Sequence, residues 1–233
     1  MNLDFSIALK YAPFLLEASL YTILLTVTSK FFGTTIGFAL AVGRVSGPPW
    51  LGAAVWTYVW IFRGTPMLLH LAFVYYAGPL IGIRLDPVPA AIVAMTLSAS
   101  AYNCEILRAG LQAVHHGQIE AARAIGMPFP KILRRIVVPQ AVRIIVPPYM
   151  SNVISHTKNS SLASVVAVPE IMLTAQSLAN STYRYIELLT AAGVLYLALT
   201  SLLTWLQLYL ERRTAFDKRA LSAAKRRRYG LAT

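Results

Sequence analysis

The sequence predicts an all-α integral membrane protein with five transmembrane helices, the N-terminus outside and the C-terminus inside. Three observations carry this. Of the 233 residues, 57% are hydrophobic and only 13% are charged, where a soluble domain averages about 45–50% and about 25%. Apolar runs of about 20 residues, the length that crosses a bilayer, alternate with short polar breaks. Basic residues concentrate in alternate breaks and in the C-terminal tail.

The same composition excludes several classes. The low charge rules out a disordered chain, which shows the opposite bias. The hydrophobicity argues against a nucleic-acid-binding module despite the net charge of +12. A single cysteine, Cys104, excludes an intrachain disulfide and any multi-cysteine metal site. Asp4, Lys10 and Glu17 in the first 17 residues argue against a cleavable signal peptide. No separate soluble domain of ordinary size fits beside five spans. The expected organisation is an external lead-in over residues 1–19, a membrane domain over 20–210 and a basic cytoplasmic tail over 211–233.

The first span is expected from about Leu20 to Val42, interrupted only by Lys30 and ended by Ser46-Gly47-Pro48-Pro49. Residues 51–62, with Trp56, Tyr58 and Trp60, read as an interfacial lead-in, since Trp and Tyr favour the headgroup level. The second span follows from about Thr65 to Leu80, the third from Val88 to Leu107. Residues 115–140 form the most polar internal segment. The fourth span covers about Val142–Val168, with Pro147-Pro148 near its start and Lys158-Asn159-Ser160-Ser161 in its middle, where the helix is expected to break locally. Residues 169–187 read as a polar connection, and the fifth span as Leu188–Leu210. No internal repeat is visible.

Orientation follows from charge. With the C-terminus inside, 15 of the 21 Lys and Arg residues lie in inner segments, and only Lys10, Arg84 and Arg184 lie in outer ones. Inner segments of membrane proteins carry this excess. The tail, with Lys225-Arg226-Arg227-Arg228, reads as an anionic-lipid anchor rather than a nucleic-acid contact.

The inner segment 115–140 has helix-forming and helix-ending signals. Gln118–Ile125 is Ala-rich and helix-favouring. Gly126 suits a left-handed helix end, and Pro128 and Pro130 follow. A second short helix is expected over Lys131–Val137, stopped by Val138-Pro139. Ala121 and Ala122 would leave a shallow surface, with Glu120 offering a fixed negative charge. Residue chemistry alone leaves a plain solvated loop and a docking surface both open.

The segment resembles the EAA loop of binding-protein-dependent ABC import permeases. Glu120-Ala121-Ala122, Gly126, Ile136 and Val138-Pro139 keep that loop's spacing, with Val138 where the pattern has Leu. Three other stretches resemble the family's polar amino acid branch (histidine-, glutamine-, arginine- and opine-type permeases). They are Phe62-Arg63-Gly64-Thr65-Pro66, Ala101-Tyr102 with Glu105 to Gly110, and Lys158-Asn159-Ser160-Ser161-Leu162. The likeness extends over roughly residues 15–210.

The resemblance implies the type I ABC importer permease fold and a transport subunit rather than an enzyme, in the bacterial cytoplasmic (inner) membrane. It implies a cytoplasmic ABC ATPase dimer that binds ATP and magnesium. It also implies a second permease, identical or homologous, and a periplasmic or lipid-anchored solute-binding protein. No cofactor is expected on this chain, which carries no Gly-x-x-x-x-Gly-Lys-Ser/Thr phosphate loop. Gly117, Glu120, Ala121, Ala122, Gly126 and Pro139 would couple the permease to the ATPases. Arg63, Gly64, Thr65 and Pro66 would form a structural motif at the start of the second span, with Arg63 bracing the coupling loop.

The intramembrane polar residues supply pathway candidates: Asn103, Glu105, Lys158, Asn159, Ser161 and Glu170. A Lys at mid-bilayer costs about 2.5–3.5 kcal/mol on insertion scales and normally faces a cavity or a partner. Lys158 therefore has two readings, a path residue or an ion pair with Glu105. Glu170, near the outer end, reads as a gate residue. Lys30 reads as structural, facing a permease interface or snorkelling. Neither a metal-ligand spacing nor a catalytic motif is present. A stand-alone carrier or membrane-embedded enzyme is the alternative class, and neither needs the 116–139 segment.

Overall fold

The structure, a computed structural model, describes residues 4–214, and within them every regular element is helical. The basic tail from residue 215 onward lies outside the described residues. Nine α-helices follow in order: α1 (Ser6–Ser46), α2 (Pro49–Gly64), α3 (Met67–Ala72), α4 (Pro87–Gln112), α5 (His116–Ala124), α6 (Phe129–Ile132), α7 (Val138–Asn159), α8 (Ile171–Thr182) and α9 (Tyr185–Thr214).

α1 runs unbroken for 41 residues, with Pro13 inside it. At 1.5 Å per residue it is about 60 Å long. The expected lead-in over 1–19 is therefore mostly the first turns of the same helix. Its buried stripe, which also holds Leu15, Leu25 and Lys30, includes small residues at helical spacing such as Ala18, Thr22, Ser29, Gly33, Gly37 and Ala41. A Cβ on Gly33 would lie 2.6 Å from the Ala99 Cβ, and one on Gly37 would lie 2.8 Å from the Ser100 carbonyl oxygen. Glycine at these two positions lets the α1 backbone press onto α4, the small-residue packing that membrane helices favour.

The aromatic segment forms its own helix, α2, and exposes Trp50, Trp56 and Trp60. Residue 65 then turns extended (φ −114°, ψ 149°), as a residue before proline is obliged to do. The chain bends by 104° into the helical run Met67–Ile81, which passes from α3 through a π turn to a 3-10 turn. Gly82, at φ +86°, ends it.

α1, α4 and α9 are each long and apolar enough to cross a membrane; two bent helix pairs raise the number to five if each counts as one span. The second bent pair corrects two expectations. Val138-Pro139 does not stop a helix. A π turn over Leu133–Val137 joins α6 to α7, and the widened turn accommodates Pro139, which lacks an N–H, in the first turn of α7. Residues 169–187 are not a plain polar connection either. They hold α8, bent by 51° from the preceding helix. At the local break expected beside Lys158, α7 ends at Asn159 and passes into a 3-10 segment over Ser160–Val166, with Ala167 left-handed (φ 60°).

Four apolar clusters join these elements. Leu25, Leu71, Met95 and Val166 tie α1, α3, α4 and the 3-10 segment. Leu15, Ile171, Ala175 and Ala192 tie α1, α8 and α9. Cys104 is fully buried with Ala41, Val55 and Val59, the packing role its lone thiol suggests. Val114, Ala122, Ile132 and Ala141 seat the 115–140 segment on the bundle. α9 leaves Val194, Leu197, Leu202 and Trp205 exposed as an apolar outer face.

Candidate functional site

The 115–127 segment is fixed by local chemistry. His115 caps α5, its Nδ1 accepting from the Gly117 N–H at 3.1 Å. At the other end, the Gly126 N–H donates to the Arg123 carbonyl at 2.9 Å, and the Met127 N–H to the Ala122 carbonyl at 3.0 Å. This double bond pattern requires a left-handed residue between, and Gly126 supplies it at φ +74°. Met127 packs back on Ala122 in the apolar cluster beneath. The two alanines thus divide. Ala122, 4% exposed, anchors the helix, while Ala121 and Glu120 face outward. The outward surface expected of both alanines belongs to Ala121 alone. Pro139 lies in α7 and not in the helix with Glu120.

Two groups of polar residues lie deeper. The first is where the C-terminal ends of α1 and α4 meet. Glu105 accepts from Arg44 at 2.7 Å and from Arg108 Nε at 3.0 Å, with a second ion pair to the Arg108 guanidinium. Arg63 stands over the Tyr102 ring, 5.4 Å from its centre, and with Gly64 lines a pocket of about 370 Å³ beside Arg44, Trp56, Trp60 and Glu105. Arg63 therefore braces Tyr102, where the sequence suggested the coupling loop.

The second group is between α1, α4 and α7. Lys30 is 5% exposed. Its ammonium donates to the side-chain carbonyls of Asn103 at 3.0 Å and Asn152 at 2.7 Å, and lies 4.8 Å from the Tyr149 ring centre. Asn103 in turn donates to Thr34 Oγ1 at 3.0 Å, and Thr34 meets the Tyr149 hydroxyl at 2.8 Å. One turn away, Ser29 meets His156 Nε2 at 2.8 Å. Beside this network is a pocket of about 320 Å³, lined by Thr65, Pro66, Ser98, Tyr102, Asn152, Ser155, His156 and Asn159. Tyr102 borders both pockets.

The structure thus gathers Thr65, Pro66 and Asn159 at one pocket, puts Asn103 in the network behind it, and puts Glu105, Arg63 and Gly64 at the other. It does not join Lys158 to Glu105. Glu105 is held by two arginines, and Lys158 is exposed at the end of α7 with no carboxylate in ion-pair range among the described residues. Ser161 donates to the Lys158 carbonyl at 2.8 Å and so closes a 3-10 turn. Glu170 is fully buried. It caps α8, accepting from the Met172 and Leu173 N–H groups at 2.9 Å each, and also from the Tyr196 hydroxyl. It fixes the N-terminal end of α8.

Sequence reasoning missed Asn152, Ser155 and His156. A signal was available, because with Asn159 they stand at i, i+3, i+4 and i+7, one polar stripe along α7. Asn103, the other partner of Lys30, carried no such signal, being 73 residues away.

Comparison with known proteins now bears on this geometry. Residues 33–216 match the family model described as binding-protein-dependent transport system inner membrane component. The chain is 37% identical over 215 residues to the arginine transport system permease protein ArtQ of Bacillus subtilis, covering 91% of this chain and 98% of that one. It is 40% identical over 205 residues to the octopine transport system permease protein OccM of Rhizobium radiobacter, covering 81% and 83%. Among solved structures, it superposes with a TM-score of 0.86 and 31% identity on a chain of an amino acid ABC transporter crystallised with histidines, covering 91% of this chain and all of that one. A chain of the MetNI methionine ABC transporter, 22% identical, shares the fold with a TM-score of 0.75 over 89% of this chain. The helical bundle with its Glu120–Gly126 segment is accordingly that of an ABC importer permease, and the chain belongs to the family of inner membrane components of binding-protein-dependent transport systems.

Proposed function

We propose that this chain is the permease subunit of an ATP-driven importer for a polar amino acid or an amino-acid-derived solute such as an opine. It works in the bacterial cytoplasmic membrane as a multi-pass protein with five spans, the N-terminus outside and the C-terminus inside. The short α5 helix, carrying Gly117, Glu120, Ala121 and Ala122 and closed by Gly126, seats in a groove of a cytoplasmic ATPase. ATP and magnesium belong to that partner. A second permease completes the membrane pore, and an external solute-binding protein delivers the solute.

The observation that carries this reading is the division of labour in α5. Ala122 roots the helix in the bundle, and Ala121 and Glu120 remain outward, as a helix that transmits force to another subunit requires. The amino acid and opine relatives support the solute class, as does a pocket whose lining is largely amide, hydroxyl and imidazole. Closure of the ATPases would bias the bundle between two states through this contact.

The test is co-purification followed by reconstitution. The chain expressed with its ATPase and binding protein should capture the ATPase, and labelled amino acid uptake into proteoliposomes should require ATP and all three components. A chain that never retains an ATPase and still transports alone would overturn the reading in favour of a stand-alone carrier.

A further inference from the structure

The Lys30 network contains a charge without a counter-charge. Among the described residues, the ammonium has no carboxylate in ion-pair range. Its partners are two amide oxygens and one aromatic ring. A buried charge is costly, and a membrane interior raises that cost. An arrangement that merely pinned α1 to α4 and α7 would be served by an apolar contact, which is often no less stable than a buried charge.

The geometry points to a role for the charge in orienting Asn152. An ammonium only donates, so the Asn152 atom 2.7 Å from it must be the carbonyl oxygen. The amide is planar, and fixing its oxygen fixes its nitrogen. Asn103 is held the same way, but its nitrogen is used inside the network on Thr34. The Asn152 nitrogen has no acceptor among the described residues, and Asn152 lines the 320 Å³ pocket. Lys30 thereby turns a group that could either donate or accept into a fixed donor at the pocket wall, and adds a positive potential behind it.

We propose that Lys30 is a positioning residue that makes this pocket selective for a carboxylate, the group common to amino acids and opines. The ammonium itself does not touch the solute; it acts through Asn152. The inference rests on the reading of the pocket as part of the solute route. Donors preset toward an anion contribute more than donors free to rotate, and hydrogen bonds to a charged acceptor are about twice as strong as neutral ones.

The experiment uses the permease–ATPase complex in nanodiscs without the solute-binding protein, so that discrimination is the permease's own. Binding of L-arginine and L-glutamine is compared with that of their α-carboxamides. The wild type should prefer the carboxylates. Lys30→Met should weaken carboxylate binding about tenfold or more and leave carboxamide binding within about twofold, because a released Asn152 can serve an amide by rotating. Lys30→Arg, also donor-only, should restore the preference. Asn152→Asp, which presents an acceptor at the same place and retains the contact with Lys30, should abolish carboxylate binding even if Lys30→Met fails to fold. Equal loss of both ligand types in Lys30→Met would show a merely structural role, and an unchanged preference in Lys30→Met or in Asn152→Asp would overturn the proposal. A wild-type complex that binds none of the four probes would overturn the pocket reading itself, and this inference with it, a result distinguishable because it appears before any substitution.

Discussion

The α5 helix and the Lys30 network are built in opposite ways. The contacts that end and cap α5 come from within a few residues, the His115 cap, the Gly126 turn and Met127 folded back on Ala122, while Ile132 and Ala141 seat it on the bundle. The Lys30 network is assembled from three helices far apart in the chain. One region exposes its working face and buries its anchor. The other buries its charge and exposes only what that charge orients. On the proposed function, coupling and solute recognition would then be separable, and substitutions should divide them.

The largest expected effect is at Gly126. Proline holds φ near −65° and has no N–H, so Gly126→Pro conflicts with φ +74° and removes the bond to Arg123. Reconstituted uptake should fall by about a hundredfold, which is about 2.7 kcal/mol of coupling, while solute binding to the nanodisc complex stays at the wild-type value. Wild-type uptake, or loss of binding, would erase the separation between the two regions.

Next come the two alanines. Ala122→Leu adds bulk to a packed cluster and should cost about 1–3 kcal/mol, read as a lower melting temperature. Ala121→Leu should melt as the wild type does and still fail to retain the ATPase. A reversal of these two results would place the docking face on the wrong side of α5.

The smallest effects sharpen the contrast between charges. Glu105 is matched by two arginines at partly exposed positions, whose side chains are 21–24% accessible. Glu105→Gln should cost about 1 kcal/mol in thermal stability, as befits ion pairs still reached by solvent. Lys30→Met should cost no more than that, although Lys30 is the more buried, because its removal deletes a desolvated charge and leaves no charge unpaired. A large loss of stability in Lys30→Met would turn the network into a structural clamp.

The legibility of the sequence follows the same division. Gly126, its flanking prolines and the Ala-rich run before it state their geometry locally, and the structure reproduces the turn they require. The five apolar runs each fall on a helical run, and Lys158–Ser161 marks the place where α7 ends at Ser160. What failed was non-local. The ion-pair reading of Lys158 with Glu105 lost to Arg44, 61 residues from Glu105 in the chain but beside it where α1 and α4 end together. Glu170 gave no sign of the α8 helix it caps, because residues 171–182 mix polar and apolar types without a clear end signal. Pro139 misled because the π turn over Leu133–Val137 carries the helix on to it, and it then sits in the first turn of α7, where its missing N–H costs no helix bond.

One measurement tests the docking claim most directly. Cys104 is the only cysteine in the chain and is fully buried, so a new surface thiol can be addressed alone. Ala121→Cys and, on the apolar outer face of α9, Leu197→Cys are each placed in the reconstituted complex and treated with a short thiol-to-amine cross-linker. Ala121→Cys should cross-link to the ATPase, with a yield that changes when ATP is added, and Leu197→Cys should not. Equal yields from the two positions, or none from Ala121→Cys in a complex that transports, would contradict the account.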